Sequence, residues 1–271
     1  MLTKRTPLPI PSEEGSRVGT RGDLQAVTTY HHPNLFQFKG LAHAVFTRHG
    51  GVSTPPCETL NVSYHTDDRR ENVDANLRII KEVMGARHLK AINQVHGKDI
   101  QILKSGHSVS PKRAEDADAL ISDMTNTGLL VKLADCQGVL LFDPARRVIA
   151  NVHCGWRGNR LNILGSVVGR MKSDFGCEKG DIRAAIGPSL GPCCAEFIGH
   201  EDLFPDGFRH FMVRENYFDL WAISRMQLLE SGLQRENIDI AGICTRCRTD
   251  LFYSYRAEKT TGRFATVIML V

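Results

Sequence analysis

Residues 129–158 read LLVKLADCQGVLLFDPARRVIANVHCGWRG, and this stretch decides the fold. It contains three short apolar runs rich in Val and Leu, at Leu129–Leu133, Val139–Phe142 and Val148–Val152. Runs of this length between polar or turn residues are typical of strands. The linker Asp143–Arg147 favours a turn, so we expect the second and third strands to pair as a hairpin.

The rest of the chain supplies more strands and few helices. Helices are predicted at Val73–Met84, from after Gly158 to near Gly176 with Leu161 on its apolar face, and at Phe218–Ser231. Further strands are predicted within Phe36–Phe46 and at Ala91–Val95, Asp99–Leu103, Ala119–Asp123, Asp181–Ile186, Ile238–Ile243, Leu251–Tyr255 and Phe264–Leu270. Many hairpin-linked strands with few helices favour a layered α+β fold over a doubly wound parallel sheet.

Composition places the chain among ordinary globular proteins. Of 271 residues, 42% are hydrophobic and 24% charged, and the net charge is +4. No block of five Lys or Arg residues occurs and no apolar run approaches the roughly 18 residues of a membrane span, so we expect neither a nucleic-acid nor a membrane partner.

Residues 1–22 carry Pro7, Pro9 and Pro11 where a signal peptide needs an apolar core, and we expect a mobile tail before a single domain at 23–271. The eight Cys are then expected to be thiols or metal ligands in a reducing cytoplasm.

Three side chains form a candidate metal site. Cys136 and His153 each follow a predicted strand, and His96 lies upstream in Asn93-Gln94-Val95-His96-Gly97. Two imidazoles and a thiolate suit zinc, and three protein ligands leave a fourth position open, as in catalytic sites. However, spacings of 40 and 17 residues follow no local ligand rule, and free Cys is commonly a small buried hydrophobe. Spacing alone leaves both interpretations open.

Two glycine-containing turns are candidate substrate contacts. In Arg48-His49-Gly50-Gly51, paired glycines expose backbone N–H groups and Arg48 offers a two-pronged grip on phosphate. The alternative is an ordinary glycine turn with a solvated arginine. In Gly155-Trp156-Arg157-Gly158, Arg157 either lines a site or stacks on Trp156, and the sequence does not choose between them.

Cysteines also occur in a turn-rich loop and in a C-x-x-C pair. Cys193 and Cys194 are adjacent, and adjacent cysteines do not easily bind one metal ion, so at least one is expected to be a packing residue. Cys244-Thr245-Arg246-Cys247 has the spacing of a zinc knuckle, but a closed zinc site needs four ligands and no second C-x-x-C exists. A metal is therefore not expected here.

A series of ordered motifs resembles one family over about residues 40–271. The motifs are T-R-H-G-G-V-S, L-N-V, N-Q-V-H-G, D-A-D-A-L-I-S-D, A-D-C, F-D-P, H-C-G-W-R-G, A-I-G-P-S-L-G-P-C-C-A-E, C-T and L-F-Y-S-Y-R…T-G-R-F-A. They resemble the YfiH-like, laccase-domain family, first labelled a multicopper polyphenol oxidase. That family is now described as zinc-dependent purine nucleoside phosphorylases with adenosine deaminase and methylthioadenosine phosphorylase activities.

The resemblance implies a fold and a site. The fold is an α/β/β/α sandwich with mixed sheets between helices, and the substrates are purine nucleosides and phosphate. His96, Cys136 and His153 match the zinc ligands, and Arg48 matches an arginine near the metal. The chain departs from the family at Cys154, where Ala is usual, and at Ala195, where Tyr is usual; Cys154 is expected to place a spare thiol beside the metal.

The catalytic prediction is Cys136, His153, Asp135 as proton carrier, and Arg48, with Arg48, Gly50, Gly51 and Arg157 binding substrate. Zinc is the expected metal and copper the alternative. Three rival hypotheses remain: a thiol hydrolase with Cys136 as nucleophile and His153 as base, a copper polyphenol oxidase, and a non-catalytic metal-binding module.

Overall fold

The computed structural model describes residues 26–106 and 115–271. The strands are β1 Thr29–Tyr30, β2 Leu41–Phe46, β3 His88–Ala91, β4 Ile100–Leu103, β5 Ala119–Ser122, β6 Thr127–Leu133, β7 Gln137–Asp143, β8 Val148–Cys154, β9 Arg183–Ile186, β10 Met212–Arg214, β11 Tyr217–Phe218, β12 Ile238–Ile240 and β13 Phe264–Leu270. The helices are α1 Pro33–Phe36, α2 Arg70–Val83, α3 Trp156–Arg160, α4 Ile163–Phe175, α5 His200–Leu203, α6 Leu220–Glu230 and α7 Tyr255–Glu258, with 3-10 turns at Asp206–Phe211 and Arg235–Asn237.

The strands form two mixed sheets. One has five strands in the order β1-β2-β13-β6-β3, and the other has six in the order β12-β9-β7-β8-β5-β4. Most pairs are antiparallel, whereas β3–β6, β4–β5 and β9–β12 are parallel. A short β10–β11 ribbon stands apart from both sheets.

The sheets pack face to face and helices cover both outer faces. Leu129 and Ile268 of the five-stranded sheet pack against Leu140 and Ile149 of the six-stranded sheet. Helix α2 covers the outer face of the five-stranded sheet through Ile80, while α4 and α6 cover the outer face of the other. This arrangement is an α/β/β/α sandwich, as predicted.

Strand β8 shows how the sandwich places a reactive side chain. Side chains alternate along a strand, and Val148, Ala150 and Val152 pack under the helices while Ile149 faces the other sheet. Asn151 shares the face of Ile149 and ties the sheets together: its Nδ2 donates to the carbonyls of Leu129 and Thr266 at 2.9 Å each, and its Oδ1 accepts from Thr266 Oγ1 at 3.1 Å. His153 is the next residue on that face.

The predicted hairpin is present. Strands β7 and β8 pair antiparallel with Asp143 opposite Val148. Asp143 Oδ1 accepts the N–H groups of Ala145 at 2.8 Å and Arg146 at 2.9 Å, and Arg147 adopts a φ of 53°. The carboxylate therefore closes the turn that the sequence indicated.

The helix predicted after Gly158 is instead two helices. Helix α3 starts before Gly158, at Trp156, and α4 starts at Ile163. Asn162 separates them because it adopts a left-handed φ of 51° and caps α4, its side chain accepting the N–H of Gly165 at 3.1 Å. Leu161 lies outside both helices and is 43% exposed, so its predicted place on the apolar face was wrong.

Two predicted strands were also wrong. In Leu251–Tyr255, the N–H groups of Leu251 and Phe252 both donate to the carbonyl of Arg248, which makes a turn with buried aromatic side chains. Ala91–Val95 is displaced toward β3, which ends at Ala91. Beyond it the Gln94 side chain, instead of the backbone, bonds both the carbonyl (2.8 Å) and the N–H (2.9 Å) of Lys132.

Among the described residues, none of the helices has the length and apolarity that a membrane crossing requires. The predicted N-terminal tail lies outside the described residues.

Candidate active site

A cavity of about 640 Å³ opens where β6 and β8 end and β7 begins. Its wall includes all three predicted metal ligands, His96, Cys136 and His153. A volume of this size lies within the range of small-molecule sites, roughly 300–1,000 Å³.

The three predicted ligands come together although they are distant in sequence. Their donor atoms all lie within 4.8 Å of one another, and the His96 and His153 rings sit 4.8 Å apart at 82°. His96 reaches this position with a left-handed φ of 59°, in the loop after β3. Cys136 occupies the link between β6 and β7, and His153 lies near the end of β8.

Gly155 makes room for the thiol. A Cβ on Gly155 would lie 2.7 Å from Cys136 Sγ and 3.8 Å from His96 Cδ2. Its backbone angles, φ −83° and ψ −175°, are open to any residue. Glycine is therefore needed here for space beside the sulfur.

Asp118, which sequence reasoning missed, holds two of the three ligands. It is fully buried immediately before β5, and its Oδ1 accepts from His153 Nδ1 at 2.7 Å. The same carboxylate accepts the N–H groups of His96 at 3.0 Å and Gly97 at 2.6 Å. Because Nδ1 of His153 is engaged, Nε2 is the nitrogen that remains for a metal.

The buried groups influence one another's ionisation. Burial alone would raise the pKa of Asp118, but hydrogen bonds from His153 and Gly97 hold it below its usual value. Burial opposes a charge on His153 as well, yet Cys136 and Asp118 raise its pKa. Burial likewise opposes ionisation of Cys136, but His153 and His96 lower its pKa. The site therefore favours a thiolate at Cys136, the form that ligates metals and attacks electrophiles.

Cys154, one of the departures from the family pattern, faces away from this trio. Its side chain packs in the core under α4, on the opposite side of β8 from His153. Burial raises the pKa of this thiol. The expected spare thiol is thus a buried, protonated packing residue.

Asp135 lines the cavity, but its carboxylate is occupied. Oδ1 accepts from Thr245 Oγ1 at 2.7 Å and Ser254 Oγ at 2.6 Å, and Oδ2 accepts the N–H of Arg256 at 2.6 Å. Asp135 also adopts a φ of 91°. These contacts make it a positioning residue for the loop before Cys136, in place of the proton carrier that was expected.

Arg48 lies outside the cavity wall, contrary to its expected contact with phosphate or ribose. The guanidinium donates to Glu258 Oε1 and the carbonyl of Thr249 at 2.8 Å each, and to the carbonyl of Glu58 at 3.2 Å. It also stacks over the Tyr253 ring at 4.6 Å. Its donors are used to hold neighbouring loops together.

Gly50 and Gly51 lie outside the cavity wall too. Gly50 has a φ of 90°, and a Cβ there would lie 2.5 Å from Val27 Cα. A Cβ on Gly51 would lie 2.5 Å from Leu60 Cα, and its N–H donates to Thr59 Oγ1 at 3.1 Å. The glycines allow a close approach of backbones, which explains them without an anion.

Arg157 does line the cavity and also stacks on Trp156, with 5.0 Å from the guanidinium to the ring. Both alternatives left open by the sequence therefore hold. Lys259 is a second exposed cation on the wall, 5.5 Å from the Tyr255 ring.

Three more cations on the wall are bound to backbone carbonyls. Lys132 Nζ donates to Ile92, Arg256 Nη1 to Glu196 and Arg263 Nη1 to Thr261, each at 2.9 Å. Burial lowers the pKa of Lys132 and of Arg263. Arg157 and Lys259 are thus the more available charges for an anionic ligand.

The fold and site define an α/β/β/α sandwich protein with a metal-donor set of two histidines and one cysteine in a small-molecule cavity. A family model described as "Multi-copper polyphenol oxidoreductase laccase" matches residues 42–271. The chain belongs to this YfiH-like laccase-domain family.

Relatives and solved structures agree with this assignment. The chain is 33% identical to Purine nucleoside phosphorylase YfiH of Shigella flexneri over 256 residues, covering 86% of this chain and 95% of that protein. It is 32% identical to the YfiH phosphorylase of Escherichia coli strain K12, covering 88% and 98%. The crystal structure of the hypothetical protein YfiH from Bacillus licheniformis superimposes with a TM-score of 0.80 at 27% identity, covering 87% and 94%.

Proposed function

We propose that this chain is a zinc-dependent purine nucleoside phosphorylase, converting adenosine, inosine or guanosine and phosphate into free base and ribose 1-phosphate. We also propose adenosine deaminase and methylthioadenosine phosphorylase side activities at the same site. The observation that carries the proposal is one cavity in which a metal-donor trio faces exposed cations and aromatic rings. The names of the relatives support the phosphorylase class.

The donor set suits zinc. His96, Cys136 and His153 supply three ligands and leave a position for substrate or water. A blue-copper centre also uses two histidines and a cysteine, with methionine as its common weak axial ligand, and no methionine is among the cavity-lining residues of the described chain. We therefore propose zinc instead of copper. When bound, the ion supplies Lewis acidity beside the reacting part of the substrate.

The cations and rings divide the substrate between them. Arg157 and Lys259 neutralise phosphate and hold it for attack on ribose C1′, while Trp156 and Tyr255 offer flat faces to the purine. The C–N glycosidic bond breaks as the C–O bond to phosphate forms, and the departing base takes up the proton that hydrogen phosphate gives up. Positioned charge thus contributes most of the rate enhancement expected from these residues.

The test is to incubate zinc-loaded protein with adenosine, with and without phosphate, and to quantify adenine, inosine and hypoxanthine by chromatography. Cys136→Ala removes a ligand and should abolish adenine formation, while Cys57→Ser is the control because a hydroxyl can keep the hydrogen bond from Cys57 to the Asp67 carbonyl. Adenine formation that depends on phosphate in wild type and Cys57→Ser, and is absent in Cys136→Ala, supports the proposal. Inosine alone would indicate chiefly a deaminase, and no product from any nucleoside would leave a metal-binding module.

A thiol hydrolase remains the second candidate because of one specific arrangement. Cys136 neighbours His153, and Asp118 orients that imidazole as the third member of a nucleophile–base triad. In that case metal-free protein would be active and iodoacetamide would inactivate it. A phosphorylase should instead need zinc, and bound zinc should protect Cys136 from alkylation.

A further inference from the structure

A second cluster of four cysteines forms outside the cavity wall. Cys193, Cys194, Cys244 and Cys247 bring their sulfur atoms within 4.8 Å of one another. Cys247 Sγ lies 3.6 Å from Cys193 Sγ and 3.5 Å from Cys194 Sγ. The sequence predicted no metal here because Cys193 and Cys194 are adjacent and no second C-x-x-C exists. The fold instead brings the sulfur atoms of both adjacent cysteines and of the C-x-x-C pair together.

The distances between the sulfur atoms suit one tetrahedral ion. Zn–S bonds of about 2.3 Å place thiolates about 3.8 Å apart along the edges of a tetrahedron. A disulfide needs about 2.05 Å, well below both measured separations. Four sulfur donors at this spacing match a closed zinc site.

Both halves of the cluster lie on turns closed by backbone hydrogen bonds. The N–H of Cys194 donates to the Gly191 carbonyl at 2.9 Å, and the N–H of Arg248 donates to the Cys244 carbonyl at 3.0 Å. The N–H of Gly191 also donates to Cys244 Sγ at 3.3 Å, across the two turns. An amide aimed at sulfur stabilises a thiolate, the ligating form.

Arginines surround the cluster and suit its charge. One zinc ion with four thiolates carries two net negative charges. Arg246 lies within the C-x-x-C turn itself, and Arg214 Nη2 donates to the Cys193 carbonyl at 3.1 Å. Arg256 Nη1 lies 3.4 Å from the Cys194 carbonyl. These cations offset the charge that a zinc–thiolate centre would bring.

We propose that Cys193, Cys194, Cys244 and Cys247 bind a second, structural zinc ion. The ion joins the loop at 187–196 to the turn at 244–247, which also meet through the Ser189–Cys244 bridge and the Gly191–Cys244 hydrogen bond. Leu190 donates its N–H to the Asp135 carbonyl at 2.8 Å, and Thr245 donates to the Asp135 carboxylate. The second zinc therefore braces the loop that carries Cys136.

The test measures zinc per chain by mass spectrometry of the metal in full-length protein purified under reducing conditions. Wild type and the Cys57→Ser control should hold two equivalents. Cys136→Ala should hold one, and so should the double variant Cys244→Ser/Cys247→Ser. Retention of one zinc by Cys136→Ala supports the second site even if no nucleoside is turned over, so the two proposals fail separately.

X-ray absorption on the Cys136→Ala protein covers the case in which the double variant does not fold. Four sulfur neighbours at about 2.3 Å from zinc are expected. Absence of zinc from reduced Cys136→Ala protein would overturn the proposal. Nitrogen or oxygen neighbours, iron with sulfide in place of zinc, or a disulfide within the cluster would each overturn it as well.

Discussion

His153 Nδ1 and Asp118 Oδ1 lie 2.7 Å apart in a buried pair where β8 ends and β5 begins in the six-stranded sheet. The carboxylate also accepts the backbone N–H of His96, so one acid sets the orientation of one ligand ring and the backbone of another. Carboxylates that orient metal-binding histidines in this way contribute strongly to metal affinity.

Asp118→Asn should weaken zinc binding at the His96–Cys136–His153 site by about 10- to 100-fold. The amide lacks the negative charge, and its NH₂ group meets either the N–H of Gly97 at the Oδ2 position or the N–H groups of His96 and His153 at the Oδ1 position. Competition with a chromophoric chelator measures the affinity. Asp123→Asn is the matched control, because the wild-type Asp123 carboxylate accepts hydrogen bonds from Ser105 and contacts no candidate ligand. Equal affinity in the two variants would rule out a positioning role for Asp118.

Gly155→Ala should displace the Cys136 sulfur and remove zinc from this site, because the added methyl would lie 2.7 Å from Sγ. The backbone angles of Gly155 suit alanine, so any effect is due to the contact with sulfur. Gly169→Ala in α4 is the control, since a Cβ there meets nothing within 4 Å and alanine favours a helix by about 1 kcal/mol. Unchanged zinc content in Gly155→Ala would contradict the steric argument.

Arg157→Gln should raise the KM for phosphate about tenfold, which corresponds to about 1.4 kcal/mol of lost binding. The reason is that Arg157 is an exposed cation on the cavity wall. Arg160→Gln alters an exposed arginine on the same helix that does not line the cavity, and should leave KM unchanged. Steady-state kinetics with varied phosphate decides; a matching rise in both variants would indicate a general charge effect instead of a contact.

Arg48→Met should lower the free energy of unfolding by about 2–3 kcal/mol, because the variant loses charge-assisted hydrogen bonds to Glu258 and two carbonyls. The phosphate KM of the folded variant should change less than about twofold, since Arg48 is outside the cavity. Denaturant unfolding and kinetics measure the two quantities, with exposed Arg87→Met as control. A large KM effect with unaltered stability would restore the phosphate role expected from the sequence.

Acid should destabilise the fold through His43. Burial, with His32 and His31 nearby, lowers the pKa of His43 to about 3, although Asp239 acts in the opposite direction. The N–H of His32 donates to His43 Nε2 at 2.9 Å, a contact that needs the neutral ring. The unfolded chain binds a proton near pH 6.5 that the folded chain refuses until about pH 3, so stability is full above pH 6.5 and falls as pH drops through that window.

The slope from this one group is at most about 1.4 kcal/mol per pH unit. His43→Gln keeps an acceptor for the N–H of His32 and should flatten the profile between pH 4.5 and 6.5. Urea unfolding at several pH values measures it. An identical slope in wild type and variant would show that His43 does not govern acid stability.

The strands around Cys136 and His153 were predictable because their apolar runs are short and bounded by turns. The turn at Leu251–Tyr255 was not predictable, because buried Phe252 and Tyr253 make an apolar run inside it. Hydrophobic periodicity alone cannot distinguish such a turn from a short strand. The break at Asn162 was also hidden, since a left-handed cap inside an amphipathic pattern leaves the apolar spacing intact.

The three candidate ligands could be predicted to lie together because Cys136 and His153 follow predicted strands, whereas no local pattern marks Asp118. A carboxylate whose partners are His153 and the backbone around His96 is defined by tertiary contacts that no local pattern records. The four-cysteine cluster was not predicted for the same reason, because residues about 50 positions apart meet only when the two loops pack.

Asn151 sets the relative position of the two sheets in addition to holding them together. Its three hydrogen bonds to Leu129 and Thr266 fix the position of one sheet relative to the other. Asn151 lies two residues before His153 on the same face of β8. Apolar contacts between two sheets are compatible with several relative positions of the sheets, whereas these hydrogen bonds can form in only one. Cys136, carried at the junction of the two sheets, is thereby kept in alignment with His153 from inside the core, and an Asn151 substitution would misalign the pocket without touching it.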